Sequence, residues 1–260
     1  MGTIRYEDDA VQGLVSTYLG PDIVAQRADT LKHLAIKPGE AVLDIGSGPG
    51  FLAKEIALQT GGGGSVVGIY ISRQMVDFAT GDKDCSWLTY QQADATDLPF
   101  DDVSFDVVVS TQVAEYVSDI AGFCAEVHRV LKPGGRGLIM ATDWGGVIWH
   151  SENPKRMQQV LAAFTPHSAN QNLPRTLGAR LRQAGLTLDT VSYFPIINVD
   201  RYEGCYSERM ITLMRPILLE AGDVDAQTLQ AWEQELVDLN ARGEHFFASG
   251  RFSFHVSKGT

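Results

Sequence analysis

The chain has 260 residues, of which 44% are hydrophobic and 20% are charged, so it is long enough for one α/β domain with a sizeable core. Its formal net charge of -11 argues against a nucleic-acid substrate, because a phosphate backbone attracts patches of Lys and Arg. No apolar run approaches the roughly 20 residues of a membrane helix, which predicts no membrane insertion, and three scattered cysteines indicate a reducing cytoplasm.

Two helices are predicted before the first strand. Residues 7–19 carry apolar side chains at helical spacing, and Tyr18 belongs to this stripe. A Gly-Pro pair then breaks the helix, and a second helix is predicted over residues 23–34. We expect residues 1–36 to form a helical lid.

A glycine turn between a strand and a helix is the most informative stretch of the chain. Residues 41–45 form a short apolar run with one carboxylate, Asp44, which predicts a buried strand. Gly46, Gly48 and Gly50 follow, and apolar residues at helical spacing come next. Glycine permits unusual backbone angles and the close approach of a ligand, and a helix N-terminus offers free N–H groups. The unit therefore predicts a cofactor site.

The rest of the chain alternates strands with helices. Four further strands are predicted in the first half of the chain, at residues 65–71, 88–92, 105–110 and 137–141, with a helix at 120–131 before the last of them. In the second half, the predicted elements are helices at 154–164 and 177–184, a strand at 186–199 interrupted by Pro195, helices at 202–221 and 225–242, and a last strand at 247–256.

This alternation implies a doubly wound, Rossmann-like α/β fold. We expect a seven-stranded, mostly parallel sheet with an antiparallel last strand, N-terminal helices, and a helical cap inserted between the last two strands. The chain is interpreted as a single domain with a lid (1–36), a core (37–200), a cap (201–245) and the last strand (246–260). Ligands of such sheets bind beyond the carboxyl ends of the strands.

The spacing of the glycine turn separates two classes of cofactor. The dinucleotide fingerprint G-x-G-x-x-G/A needs a small residue where this chain has Phe51. The observed G-x-G-x-G spacing resembles motif I of the class I S-adenosylmethionine-dependent methyltransferases. The stretch from Glu126 to Gly135 resembles the E-x-x-R-V-L-K-P-G-G signature of that family, whose role is structural. The sequences Asp-Leu-Pro-Phe at residues 97–100 and Ser-Phe-Asp at residues 104–106 resemble those of the ubiquinone/menaquinone C-methyltransferase-like, small-molecule branch.

The resemblance implies S-adenosylmethionine as the cofactor and S-adenosylhomocysteine as its product. It places the methionine part at the glycine turn, with Asp44 beneath, and the adenine beside Asp94. Carbonyl groups near Thr111 would accept from the ammonium group of the cofactor. The residues implied in cofactor binding are Asp44, Gly46, Ser47, Gly48, Tyr70, Ile71, Met75, Asp94, Ala95, Thr111 and Gln112.

Tyr70 departs from the family pattern. The second strand of the family usually ends in Asp or Glu, which accepts hydrogen bonds from both ribose hydroxyls, whereas a phenol cannot make this bidentate contact and is uncharged at neutral pH. Three interpretations stay open: Tyr70 makes one ribose hydrogen bond, another group holds the ribose, or cofactor affinity is reduced. The first two are favoured because Ile71, Ser72 and Met75 still match the pattern.

The acceptor side is inferred from family topology. His150 is proposed as the general base, and Glu115 and Tyr18 are further catalytic candidates. Each has a structural alternative, namely solvation for His150, a helix-face charge for Glu115 and packing for Tyr18. The residues expected to line the substrate pocket are Tyr116, Trp144, Trp149, Tyr206, Arg209 and His245. The six histidines lack metal-ligand pairing, so no catalytic metal is expected.

These observations predict transfer of a methyl group to a small, largely apolar or aromatic organic acceptor, of which a natural-product carbon is an example by analogy. Methylation of oxygen or nitrogen stays open. The alternative is a non-catalytic cofactor-binding protein on the same scaffold, motivated by Tyr70. A nicotinamide-dependent oxidoreductase is disfavoured by Phe51 and Tyr70, and a nucleic-acid methyltransferase by the net charge. We expect a monomer or a homodimer.

Overall fold

The computed structural model describes residues 15–81 and 85–260, which contain one eight-stranded sheet. The strands are β1 Ala41–Ile45, β2 Ser65–Tyr70, β3 Leu88–Gln92, β4 Phe105–Thr111, β5 Leu131–Thr142, β6 Ile148–Trp149, β7 Thr187–Asn198 and β8 Phe247–Ser257. The central order is β3-β2-β1-β4-β5-β8, and both β6 and β7 pair with β8. Strands β1 to β5 pair in parallel, whereas β8 is antiparallel to its neighbours, as the sequence predicted.

Eight helices surround or cap the sheet within the described part of the chain. They are α1 Pro21–Leu34, α2 Phe51–Thr60, α3 Arg73–Gly81, α4 Ile120–Val130, α5 Pro154–Phe164, α6 Pro174–Gln183, α7 Tyr206–Ala221 and α8 Ala226–Ala241. Residues 15–18 are also helical, in agreement with the end of the helix predicted over residues 7–19. The earlier part of that prediction lies outside the described residues.

The sheet differs from the prediction in three details. The eighth strand, β6, has only two residues, which is too short for an alternating pattern to be visible in the sequence. Strand β7 continues through Pro195. Within the described sheet β7 is an edge strand that pairs with β8 on one side, so the missing N–H of proline does not interrupt the hydrogen bonds between central strands. Strand β5 begins at Leu131 rather than Gly137, with an irregular register opposite Phe105 that accommodates the intervening glycines.

Both faces of the sheet are covered by apolar side chains, as expected for parallel strands. One face buries Ile45 and Phe123 in a cluster with α4 and α6, and the other buries Val42, Ile56 and Val107 against α2. Strand β4 is buried along most of its length, which explains its run of valines. The sheet is thus a rigid base for the loops at its carboxyl edge.

The strand register brings the predicted cofactor residues to one place. Ile45 at the end of β1 lies opposite Ile69 of β2 and Ser110 of β4. The glycine turn, the end of β2 and the end of β4 therefore lie side by side at the carboxyl edge of the sheet.

The E-x-x-R pair holds the loop between β3 and β4. Arg129 donates to both carboxylate oxygens of Glu126, at 2.7 Å each, and to the carbonyl oxygens of Leu98 (2.9 Å) and Phe100 (2.6 Å). Glu126 also accepts from the N–H of Leu98 at 2.7 Å. Hydrogen bonds to Arg129 hold the pKa of Glu126 below its ordinary value. The structural role that the resemblance implied for this segment is therefore visible as a clamp on residues 98–100.

Helices α7 and α8 lie between β7 and β8 in chain order, as predicted for the cap, and build a third apolar cluster with α5. Trp232 and Met214 are completely buried there. Glu235 of α8 accepts from the Ser151 hydroxyl at 2.7 Å and from the N–H of Asn153 at 3.0 Å, which fixes the start of α5. The division into lid, core, cap and last strand stays a proposal that agrees with this order.

Candidate active site

The glycine turn has a shape that only glycine allows. Gly46 and Gly50 have φ angles of 80° and 88°, in the left-handed region. A Cβ atom on Gly46 would lie 2.0 Å from Cγ2 of Val113, and one on Gly50 would lie 2.4 Å from the hydroxyl of Tyr90. The N–H of Gly46 donates to the carbonyl oxygen of Ile69 at 2.9 Å, so the turn is fastened to the end of β2.

A narrow cleft that is open to solvent lies beside this turn. Five of the predicted cofactor residues line it, and these are Asp44, Gly46, Ser47, Thr111 and Gln112. Tyr18 lines the same cleft, and its hydroxyl would lie 3.3 Å from a Cβ on Gly48, so the end of the N-terminal helix rests on the glycine turn. We refer to this cleft as the cofactor cleft.

Asp44 supplies the electrostatic character of the cofactor cleft. Its side chain is 1% exposed, and neither carboxylate oxygen has a hydrogen-bond partner. Burial raises the pKa of Asp44 from its ordinary value of 3.8 to about 7. A buried carboxylate without a donor favours a cationic partner, so the residues present fit the positively charged methionine part of S-adenosylmethionine.

Four residues of α1 line the cofactor cleft and were missed as site residues in the sequence analysis, among them Gln26 and Arg27. Gln26 donates to the side-chain oxygen of Gln112 at 3.1 Å, and Gln112 has a positive φ of 60° at the end of β4. Arg27 is paired with Glu55 at 2.7 Å. The signal in the sequence was Gln26, a polar residue that lies on the same buried face of α1 as Ile23.

The loop after β3 presents Asp94 to solvent at the same edge. One oxygen of Asp94 accepts from the N–H and the hydroxyl of Thr96, at 2.8 and 2.7 Å, and this small turn fixes the orientation of the carboxylate. Ala95 lies within the turn and is half-buried. The contact of Asp94 and Ala95 with adenine stays a prediction with which this placement is compatible.

Three other predicted cofactor residues, Tyr70, Ile71 and Met75, lie between the end of β2 and the first turn of α3. Tyr70 is half-buried, and Ile71 is 58% exposed at the sheet edge, where an apolar side chain can cover a flat ligand. Met75 is completely buried in α3. The structure therefore places Met75 beneath the edge as a packing residue, and direct contact between Met75 and a cofactor is not supported by this placement.

A group of ionisable side chains, of which Glu115, Tyr206 and Arg251 are buried, lies next to the cofactor cleft. It consists of Tyr18, Glu115, Tyr116, Tyr206 and Arg251, and we call it the tyrosine–arginine cluster. Burial raises the pKa of the Tyr116 phenol, which also interacts electrostatically with the other four members, although 39% of the Tyr116 surface is exposed. The cluster unites four predicted residues with one that was not predicted.

Glu115 is the carboxylate of this cluster and is 0% exposed. Its Oε1 accepts from the N–H of Thr142 at 3.1 Å, whereas its Oε2 has no hydrogen-bond partner. Burial raises the pKa of Glu115, and Arg251 opposes this shift. A carboxyl group with a raised pKa is a better proton acceptor at neutral pH than an exposed one, so the geometry favours Glu115 over a helix-face role.

Arg251 was missed in the sequence analysis. It lies in β8 opposite Thr142 of β5 and is 0% exposed. Its guanidinium carbon lies 5.0 Å from the ring centroid of Tyr206, and none of its three nitrogens has a hydrogen-bond partner. The signal in the sequence was the alternation along β8, which places Arg251 on the same buried face of the strand as Phe247 and Ser249.

A second, partly open cavity lies where the cap meets α5 and β8, and its side chains leave room for little more than one water molecule, about 10 Å³. Trp144 and Trp149 line it, as predicted for the substrate pocket. Phe247 also lines it, with its ring centroid 4.8 Å from Trp149 and 5.8 Å from Tyr206. We call it the aromatic cavity, and it adjoins the tyrosine–arginine cluster through Phe247.

Six of the predicted catalytic and pocket residues line neither cavity. Three of them, Glu115, Tyr116 and Tyr206, belong to the tyrosine–arginine cluster, whereas His150, His245 and Arg209 do not. His150 is exposed and makes a backbone hydrogen bond to Phe246, so this position does not support it as the general base. His245 is buried, and its Nε2 is 3.1 Å from the Ser207 hydroxyl, while burial lowers its pKa. Arg209 lines neither cavity, and a base or pocket role for these three residues does not follow from the geometry.

Two general features of the described ranges, 15–81 and 85–260, bear on the chemistry. They contain no group of three or more His, Cys, Asp or Glu side chains that could hold a metal ion. No helix in these ranges has both the length and the apolar character needed to cross a bilayer.

A Rossmann-like sheet with an antiparallel last strand, a G-x-G-x-G turn and a buried carboxylate beside that turn define the class I S-adenosylmethionine-dependent methyltransferases. A family profile described as a methyltransferase domain matches residues 43–139. The fold is also similar to phosphoethanolamine N-methyltransferase 2 of Haemonchus contortus in complex with S-adenosyl-L-methionine, with a TM-score of 0.64 and 20% identity, covering 99% of this chain and 58% of that one.

Relatives at the sequence level are consistent with this class. The chain is 32% identical over 183 residues to the ubiquinone/menaquinone biosynthesis C-methyltransferase UbiE of Citrifermentans bemidjiense, covering 66% of this chain and 76% of the relative. It is 30% identical over 226 residues to a 37.1 kDa protein in transposon TN4556 of Streptomyces fradiae, covering 84% of this chain but only 62% of that relative. The chain belongs to the class I methyltransferases of the ubiquinone/menaquinone C-methyltransferase-like branch, and its cofactor is S-adenosylmethionine.

Proposed function

We propose that this methyltransferase acts on a small, largely apolar or aromatic acceptor and that a carbon atom of a natural product is the methylated site. The observation that carries the proposal is the aromatic cavity, which adjoins a cluster of ionisable groups next to the cofactor cleft. Tryptophan and phenylalanine faces match a flat apolar ligand. The relatives named as quinone-precursor and sterol C-methyltransferases agree with an acceptor of this kind.

Bound S-adenosylmethionine supplies an activated methyl group, and the protein supplies position and proton transfer. Tyr18 closes over the glycine turn beside Gly48 and helps to exclude water from the cofactor cleft. Alignment of two reactants in a closed site contributes on the order of 7 to 11 kcal/mol in well-oriented systems. We propose that Tyr70 lies near the ribose and that Asp94 contacts the adenine.

Glu115 is the group that we propose as the general base. It is buried in the tyrosine–arginine cluster, its Oε1 is oriented by the N–H of Thr142, and its Oε2 is available as a proton acceptor. Removal of a proton by a positioned base contributes about 10²- to 10⁴-fold to a rate. Neither Glu115 nor His150, the base proposed from the sequence, lines a cavity, but Glu115 is buried in the cluster whereas His150 is exposed to solvent.

The test is methyl transfer from isotopically labelled S-adenosylmethionine to a panel of naphthols, indoles and phenols, with transfer RNA as a contrasting acceptor. We expect labelling of at least one aromatic compound and none of the RNA. Glu115→Gln should lower kcat about 100-fold or more while affinity for S-adenosylhomocysteine stays within about threefold. His150→Gln is the matched comparison. A larger loss of kcat in His150→Gln than in Glu115→Gln would indicate that His150 is the general base.

Three coarser properties complete the proposal. The net charge of -11 supports a small-molecule rather than a nucleic-acid acceptor. The three free cysteines support a reducing compartment, for which we propose the cytoplasm. A monomer or a homodimer stays the proposed assembly. The alternative of a non-catalytic cofactor-binding protein is not favoured, because the relatives are named as methyltransferases.

A further inference from the structure

Arg251 carries a charge that the proposed function does not yet use. It is completely buried in β8, and its Nε, Nη1 and Nη2 atoms have no hydrogen-bond partner. Because a guanidinium does not lose its proton in a protein, the positive charge is present inside the fold at every physiological pH. A buried guanidinium is usually paired with two acceptor oxygens of a carboxylate or phosphate, which match its planar array of N–H donors.

The protein groups around Arg251 do not provide such a pair. Glu115 is bonded to Thr142 through Oε1, and its Oε2 has no partner, so no hydrogen bond joins Glu115 to Arg251. Tyr206 faces the guanidinium with its ring, at 5.0 Å, and a stacked ring stabilises the cation through its face. The Tyr206 phenol is also near enough to interact with Arg251, but none of the guanidinium nitrogens makes a hydrogen bond of ordinary geometry, so they can still donate to a ligand.

The position of Arg251 connects it with both proposed ligand sites. Tyr206, which stacks on Arg251, lies 5.8 Å from Phe247 of the aromatic cavity. On the other side, Tyr18 of the cofactor cleft interacts with Tyr116 of the same cluster. Arg251 itself is 0% exposed and lines neither space, so a ligand that reaches its guanidinium must displace side chains that lie between the two.

We propose that Arg251 binds a carboxylate of the methyl acceptor, so that the acceptor is a small aromatic acid. The inference rests on the proposed function and narrows its substrate class. Arg251 offers one positive charge, and Glu115 already contributes one carboxyl group to the same buried site, so a second acidic group on the acceptor is disfavoured. The acceptor therefore carries a single carboxylate and, near it, a hydroxyl or N–H whose proton the Oε2 of Glu115 accepts.

The test compares two probes of equal shape and different charge, 1-naphthoate and 1-naphthalenemethanol. Each is titrated calorimetrically into the full chain, with and without saturating S-adenosylhomocysteine. We expect the parent to bind the acid about tenfold or more tightly than the alcohol, since a charge-assisted buried pair has at least this value. In Arg251→Met the two affinities should lie within about twofold of each other.

Arg215→Met is the matched control. Arg215 lies in α7, its side chain is 52% exposed, and it pairs with Glu233 on the cap surface. This variant removes the same charge without touching the cluster and should keep the preference of the parent for the acid. Circular dichroism verifies that each variant is folded. If Arg251→Met does not fold, Arg251→Lys replaces it, because lysine keeps the charge but loses the bidentate geometry and should reduce the preference severalfold.

Three results overturn the inference. The first is a parent protein that does not prefer the acid, and the second is a parent protein that binds neither probe. The third is an unchanged preference for the acid in Arg251→Met or, if that variant does not fold, in Arg251→Lys. These results leave the proposed function untouched when S-adenosylhomocysteine still binds and labelled methyl is still transferred. Conversely, a parent that fails to bind S-adenosylhomocysteine contradicts the cofactor assignment, while the titrations without it still measure the preference for the acid.

Discussion

The cofactor cleft and the tyrosine–arginine cluster are adjacent sites built in opposite ways. The cleft is formed by a continuous stretch around Asp44 and Gly46 together with neighbouring strand ends, and backbone shape dominates it. The cluster combines side chains from distant parts of the chain, such as Glu115 and Arg251, and ionisable groups dominate it. Each site has a buried ionisable side chain with no hydrogen-bond partner at all, the carboxyl group of Asp44 in the cleft and the guanidinium of Arg251 in the cluster, where Glu115 also has one unpartnered oxygen.

This difference shows which part of the enzyme is common to its family and which part is individual. A cofactor shared by the family needs the same backbone turn at the same sheet edge, and a short motif specifies it. An acceptor that differs between relatives needs side chains that can change one at a time on separate elements. The opposite signs of the two unpaired charges fit a cationic cofactor in one site and an anionic acceptor in the other.

The largest effect is expected from a change in the cap. Trp232 is completely buried, and its ring lies 5.5 Å from that of Trp149. Trp232→Ala should lower the free energy of unfolding by up to about 5 kcal/mol, because a large cavity opens in an apolar cluster. The cofactor cleft contains no residue of α8, so affinity for S-adenosylhomocysteine should stay within about threefold.

Chemical unfolding followed by circular dichroism and calorimetric titration measure these two quantities. The matched variant is Phe123→Ala, which removes an equally buried aromatic side chain from the cluster beneath the sheet. We expect Phe123→Ala to weaken both stability and cofactor binding. A folded Trp232→Ala protein that no longer binds S-adenosylhomocysteine would mean that the two sites are not energetically separate.

The second prediction concerns the pH dependence of the buried carboxyl groups. The pKa of Asp44 is about 7 in the folded protein, against its ordinary value of 3.8, because burial disfavours the charged form. Between these values the folded state keeps a proton that the unfolded chain has released, so stability should fall as pH rises from about 4 to about 7. The difference is on the order of 4 kcal/mol, and it is absent below pH 4.

Asp44→Asn should remove most of this fall, which urea unfolding at pH 5 and pH 8 would measure. Burial also raises the pKa of Glu115, so Glu115→Gln should remove a further part of the same sign. Asp77→Asn is the control, because Asp77 lies in an exposed pair with Arg73. An Asp44→Asn protein with the pH dependence of the parent would show that Asp44 is already ionised in the fold.

The strand, turn and helix of the cofactor half could be predicted from the sequence because their signals are local, whereas the α1 residues Gln26 and Arg27 were missed. The strand, the glycine turn and the helix from residue 51 follow one another without interruption, and the register of β1 with its neighbours then follows from the doubly wound topology. The antiparallel last strand and the two cap helices were also predicted, since each has a clear period. Cofactor roles for Tyr70 and Asp94 stay predictions.

The acceptor half was predicted only in part because its geometry depends on contacts between distant residues. Arg251 stands in an ordinary alternating strand, and only the packing of α7 over β8 buries it. His150 follows a two-residue strand whose pairing with β8 leaves the histidine outside, which no periodic pattern could indicate. Side-chain burial at such positions is set by the tertiary fold rather than by local spacing.

The smallest expected effect concerns the clamp that positions the cofactor half. Arg129 holds the loop before β4 through hydrogen bonds to Leu98, Phe100 and Glu126, and its side chain is 30% exposed. Arg129→Met should lower the free energy of unfolding by about 2 kcal/mol, because charged hydrogen bonds are lost where solvent replaces them only in part. If the clamp orients the loop that begins at Asp94, affinity for S-adenosylhomocysteine should also fall.

Arg73→Met separates the clamp from a general loss of charge. Arg73 forms a salt bridge with Asp77 in α3, but its side chain is 72% exposed, so its removal should change stability by no more than about 0.5 kcal/mol. Calorimetric titration of both variants with S-adenosylhomocysteine provides the decisive comparison. Equal affinities in the two variants would limit Arg129 to a stabilising role, whereas a loss confined to Arg129→Met means that the family signature positions the cofactor site from a distance.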